Sequence, residues 1–145
     1  KRMSATIGAD LRAGHERMTE TLDRLREIAD QLDNANPPDA AKLIIEADEM
    51  IAKQIVEHER EDENAVYPRV AEFLGDRHGL GAMSRAHREI IHLARLLRRL
   101  VEALSREEAD RYAIRDGQHM IESIESLVRL HNAQEEDIYE HAVGA

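Results

Sequence analysis

Apolar residues recur at three- and four-residue steps along nearly all of the 145-residue chain, in four stretches separated by short runs of Pro, Gly, Asn and Ser. That period gathers side chains on one face of an α-helix and does not fit the two-residue alternation of a strand. Four amphipathic stripes have to be buried against one another. The expected fold is therefore all-α, an up-down-up-down antiparallel four-helix bundle, with residues 1–145 forming a single domain.

The first stripe runs from about Thr6 to Leu32 through Ile7, Leu11, His15, Met18, Leu22, Leu25 and Leu32. After the breaker cluster Asp33 to Pro38, the second carries Ile44, Ala47, Ile51, Ile55, His58, Asp62, Val66 and Val70 to about Leu74, with a kink expected near Pro68. Gly75, Gly79 and Gly81 predict a loop. Beyond it Met83, His87, Ile90, Ala94, Leu97, Val101 and Leu104 share a face. The spacing of Ser105 and Glu108 suits a capping box opening a fourth helix, on which Ala113, Met120, Ile124, Leu127, His131, Glu135 and Ile138 align.

Composition narrows the function classes. A formal charge of −10 lacks the basic stripe that nucleic acid or an anionic membrane would require. The chain has no cysteine, so any metal must sit on nitrogen and oxygen ligands. No run approaches the roughly 20 apolar residues of a bilayer span, which gives the expectation of a soluble, cytoplasmic domain.

Each stripe contains one histidine, where an uncompensated imidazole is unfavourable. A single seam histidine is ordinarily a hydrogen-bonded boundary residue, and an H-x-x-x-[DE] pair is ordinarily a surface salt bridge. Four together need a common cause. In an antiparallel bundle, His15 and His87 early in their helices come level with His58 and His131 late in theirs. Asp62 and Glu135, each four residues after a histidine, point at the same centre. Four imidazoles and two carboxylates can bind two metal ions, and iron suits that donor set, with manganese, zinc or copper less selectively. His92 and His119 fall on outer faces. His78 in the glycine-rich loop and His141 near the terminus are not expected to be ligands.

The segment His58-Glu-Arg-Glu-Asp-Glu-Asn-Ala-Val-Tyr67-Pro68 resembles the haemerythrin/HHE motif, and His131-Asn-Ala-Gln-Glu135-Glu136-Asp-Ile-Tyr139 resembles its second copy. With His15 and His87 in the places of the family's single histidines, the resemblance spans nearly the whole chain. It implies two iron ions, oxo- or hydroxo-bridged, one on His15 and His58 and the other on His87 and His131, with Asp62 and Glu135 bridging. Dioxygen, nitric oxide, peroxide or water would take the open positions.

Three departures bear on that reading. Asp62 stands where the family has a glutamate, so Glu59 or Glu63 could supply the bridge or an added ligand. Ile91 stands where oxygen carriers have a fifth histidine, which leaves room for Glu59 to fill the place. Glu140 replaces the proline that often closes the motif. The implied function is a di-iron domain binding or sensing oxygen, nitric oxide or iron, as a regulatory module of a larger protein. Two alternatives stand beside it: a di-iron enzyme acting on peroxide or nitrosative damage, and a metal-free helical interaction domain. Tyr67 and Tyr139 are expected to pack against the seam.

Overall fold

The computed structural model describes the backbone of residues 2–74 and 78–144 and the side chains of residues 8–74 and 80–140. Within them the secondary structure is helical. Helix α1 is Arg2–Gln31, and the chain then turns to Asn36, whose side chain accepts from the Asp39 amide at 3.0 Å. Pro37 and Pro38 occupy the first turn, where a missing N–H costs nothing.

Helix α2 is one continuous rod of five segments: Pro37–Met50, a π turn at Ile51–Val56, an α segment Glu57–Glu61, a second π turn at Asp62–Val66, and Tyr67–Leu74. Pro68, where a kink is expected, is the second residue of the last segment, directly after the second π turn. In that turn, the Tyr67 amide bonds the Asp62 carbonyl, five residues back instead of four. The extra residue per turn puts Tyr67 in the interior (5% exposed) and leaves the anticipated Val66 half-buried.

Helix α3 is His78–Leu104. Gly79 and Gly81 thus belong to a helix, and the part of the expected glycine loop at residues 75–77 lies outside the described residues. Helix α4 is Arg111–Gly144. The capping box at Ser105 does not form: its hydroxyl donates to the Glu102 carbonyl at 2.6 Å and closes α3. The working cap is Asp110, whose carboxylate accepts from the Ala113 amide at 2.8 Å.

Contacts fix how the helices run. Along α1, His15 meets Glu136, Asp23 meets Arg129, and the Ala29 carbonyl meets Gln118, so partner numbers fall as α1 numbers rise. Helices α2 and α3 behave likewise through Glu63 with Ser84 and Asp48 with Arg98. Gly117 of α4 abuts Ile44 and Leu100, and a Cβ there would lie 2.8 Å from Ile44 Cδ1. A side chain there would require the Ile44 and Leu100 side chains to shift.

Two apolar clusters result. The larger is aliphatic, including Met18, Leu22, Leu25, Ile28, Ile44, Ile55, Ile90, Leu97, Ile124 and Val128. The smaller comprises Leu11, Tyr67, Val70, Leu80, Met83 and Tyr139. The seam of α4 is better centred on Ile121, Ile124, Val128 and Tyr139 than on the expected Met120, Leu127 and Ile138, which are only half-buried. The side chain of Ile7 lies outside the described residues.

Candidate metal centre

Between the two clusters, each helix contributes polar side chains to one buried locus. His15 comes from α1, His58, Glu59 and Asp62 from α2, His87 from α3, and His131 and Glu135 from α4. His131, Glu59 and Glu135 have no exposed surface, and His15, His87 and Asp62 have 5% or less. The adjacent residues His58 and Glu59 lie in the α segment between the two π turns, His58 beside Asp62 and Glu59 between His87 and His131.

The donors fall into two groups, each with ligand atoms within 4.8 Å of one another: His15, His58 and Asp62, and Glu59, His87, His131 and Glu135. Glu59 Oε2 lies 2.5 Å from His87 Nε2 and 3.2 Å from His131 Nε2. Glu135 Oε1 joins the groups, lying 2.8 Å from His131 Nε2 and 3.7 Å from His15 Nε2. The Tyr67 ring stacks on His87 at 4.8 Å, and its hydroxyl donates to Glu135 Oε2 at 3.0 Å, more than the packing role expected of it. Tyr139 is buried in the seam, its hydroxyl without a hydrogen bond.

Sequence-derived candidates are thereby brought together with one exception. Glu63 sits outside both groups, half-exposed, with Oε2 2.9 Å from His87 Nδ1. It touches the far side of the His87 ring. Glu136, which sequence reasoning passed over, does the same to His15 Nδ1 at 3.0 Å. Ile91 does not stand at the site either: it lines a groove with Val56 and Arg60, and Glu59 is the fourth donor beside His87. His92 and His119 are exposed, as their register predicts; the side chains of His78 and His141 lie outside the described residues.

The site also differs in kind from other buried acids. Asp48 pairs with Arg98 at 3.1 Å, and Glu125 pairs with Arg26 and Arg129. Among the described residues, Glu59, Asp62 and Glu135 have only imidazoles as cationic partners. Moreover His15 Nε2, His58 Nε2, Asp62 Oδ2, Glu135 Oε1 and both Glu59 oxygens are buried without an aligned hydrogen bond. His58 Nε2 and Asp62 Oδ2 are nonetheless 3.0 Å apart. Close donors not aimed at each other are what lone pairs directed at a common cation produce, and burying three carboxylates otherwise carries a large cost.

The electrostatics without an ion follow. Burial alone would lower His131, but Glu135 and Glu59 outweigh it and push its pKa up to about 9. Burial resists ionisation of Glu135, yet His131 and His15 pull it down to about 2. His15 and His58 are raised against the pull of burial by Glu135 with Glu136 and by Asp62, respectively. Asp62 is itself raised by burial, despite His58. Burial and the Glu135 charge hold the Tyr67 hydroxyl far above its ordinary range, so it stays protonated.

The sequence model described as Hemerythrin HHE cation binding domain matches residues 6–143. The chain belongs to this family. No curated protein and no solved structure shows a significant match. The haemerythrin-like domain therefore carries a buried cluster of histidine and glutamate side chains able to hold a metal cation. Among the described residues, no helix is long and apolar enough to cross a membrane.

Proposed function

We propose that this haemerythrin-like domain holds two iron ions and uses them to bind or sense oxygen, nitric oxide or iron itself, as a regulatory module of a larger protein. The observation that carries the reading is the double donor group: His15, His58 and Asp62 beside Glu59, His87, His131 and Glu135, with buried atoms left unaligned toward one another. One ion would rest on the first group and one on the second, and Glu135 reaches both. Asp62, the other expected bridge, stands in the first group. Imidazole and carboxylate together suit iron. An up-down-up-down antiparallel bundle over residues 1–145 is the scaffold that this reading assumes, and the opposed contacts of neighbouring helices support it.

When bound, the ions would supply redox chemistry toward small oxygen and nitrogen species. The chain supplies the rest. The clusters around Leu25 and around Tyr67 keep bulk water from both ends. The Tyr67 hydroxyl holds a proton at Glu135 Oε2. That proton donor favours a second reading, an enzyme acting on peroxide or nitrosative damage, and steady-state oxygen evolution from peroxide would separate it from a sensor.

The deciding experiment is iron analysis of anaerobically purified protein, joined to an optical spectrum after exposure to air. Two irons per chain and near-ultraviolet oxo-bridge bands are expected. Protein that folds fully yet retains no iron when reconstituted would leave the metal-free interaction domain in place of this reading.

A further inference from the structure

Two carboxylates beside the site face away from it. Glu63 Oε2 lies 2.9 Å from His87 Nδ1, while Glu63 Oε1 accepts from the Ser84 hydroxyl at 2.7 Å. Glu136 Oε1 lies 3.0 Å from His15 Nδ1. The glutamate side chains are 42% and 39% exposed, and each imidazole they touch is 4% exposed. The same contact thus occurs twice, spanning the bundle wall from water to the buried ring.

The repetition is encoded. Glu63 directly follows Asp62, and Glu136 directly follows Glu135, so each is the second acid of an H-x-x-x-[DE]-E run. In each run the first acid turns inward, while the second reaches sideways to the seam histidine of a neighbouring helix, from α2 to α3 and from α4 to α1. One such histidine lies in each donor group: His15 in the first and His87 in the second. By contrast His131 Nδ1 is buried with no hydrogen bond at all.

We propose that Glu63 and Glu136 are matched positioning residues that anchor His87 and His15 from the solvent side, orient one imidazole in each half of the centre, and strengthen its electron donation. A carboxylate can only accept, so it selects the ring form with hydrogen on Nδ1. That leaves Nε2 as the inward nitrogen, facing Glu59 in His87 and Glu135 in His15, where a bound cation would take its lone pair. The negative charge behind the ring also strengthens its electron donation through Nε2, which favours the more highly charged state of whatever cation it faces. Ser84 fixes the rotamer of Glu63, so the anchor of His87 is itself held. The orientation part needs only the fold; the redox part rests on the di-iron reading.

The test uses E63A, E136A, E63Q, E136Q and S84A. Nitrogen NMR of metal-free protein should show His15 and His87 each with hydrogen on Nδ1. E63A should release His87 alone and E136A His15 alone; S84A should shift His87 the same way by less. After iron loading, the alanine variants should lose roughly 10- to 100-fold in metal affinity. The glutamine variants keep an acceptor without the charge, so they should recover much of that affinity while the midpoint potential moves upward. Nδ1 without hydrogen on both rings in the parent protein, or an unchanged potential in both iron-loaded glutamine variants, would overturn the proposal. Selective NMR responses in protein that binds no iron would support the anchoring and remove the di-iron reading, so the two failures are distinguishable. The exposure of both glutamates keeps the substitutions compatible with folding, which S84A checks independently.

Discussion

The Tyr67 hydroxyl lies 3.0 Å from Glu135 Oε2 and donates to it, joining the wall of the bundle to the one carboxylate that reaches both donor groups. Tyr67→Phe keeps the ring stacked on His87 and deletes only that donor. A buried acceptor left without its hydrogen bond costs about 1–3 kcal/mol. Metal-free Y67F should therefore unfold at lower denaturant than metal-free parent protein by that amount, while iron per chain stays the same. Identical unfolding curves would show that the hydrogen bond contributes nothing to folding.

Glu59 has no exposed surface and sits between His87 and His131. Glu59→Gln preserves its volume and removes a charge from the four-donor group only. The optical spectrum of the loaded protein should change markedly with metal content nearly retained. The parent protein, with a carboxylate where an oxygen carrier would have imidazole, should take up oxygen without releasing it under vacuum. Repeated reversible cycling would contradict that expectation.

Acid and alkali should each destabilise the metal-free protein, through different groups. His131, raised from 6.5 to about 9, contributes stability that is complete below 6.5 and is lost as pH climbs through about 9. Glu135, lowered from 4.5 to about 2, contributes stability that is complete above 4.5 and is lost as pH falls through about 2. Denaturant midpoints should therefore peak between about pH 4.5 and 6.5. Metal affinity should instead rise between about pH 6.5 and 9, because an ion must displace the His131 proton. Stability that increases across that alkaline window would contradict the assignment.

Removing metal should lower the melting temperature. An ion present at a thousandfold excess over its dissociation constant stabilises the folded state by about 4 kcal/mol. For a chain of this size that corresponds to on the order of 10 °C, read by calorimetry with and without chelator. His92→Ala, on the outer face of α3, should leave both the loaded melting temperature and the metal content unchanged. Loss of metal in that variant would place a ligand where the structure has none.

The histidines were legible because polarity inside an aliphatic stripe is improbable, and His15, His58, His87 and His131 announce themselves by period alone. Asp62 and Glu135 followed from the four-residue step. Glu59 was ambiguous for a physical reason: successive helical residues point about 100° apart, so placing His58 in the seam put Glu59 on the neighbouring strip, and no residue in the sequence advertises the π turns that flank the pair. The same turns hid the inward swing of Tyr67. Glu136 carried a usable signal, the doubled acid shared with Glu63, but its partner on α1 is remote in sequence. The failed cap at Ser105 shows competition of another sort: its hydroxyl found the carbonyl three residues behind before any amide ahead.

A π turn is, in effect, one residue too many for the helix that contains it, and α2 contains two, one before and one after the segment bearing His58 and Glu59. Excision of a residue from either turn would restore a regular ladder, and a regular ladder is the better backbone. It would also rotate everything beyond the cut by about 100° relative to everything before it. A shortened α2 could then be the sturdier helix while turning part of its donor set, or Tyr67, away from the other three helices. The irregularity is thus a spacer that sets rotational phase, and single-residue deletions along α2 should be tolerated by the fold where they are ruinous to the centre.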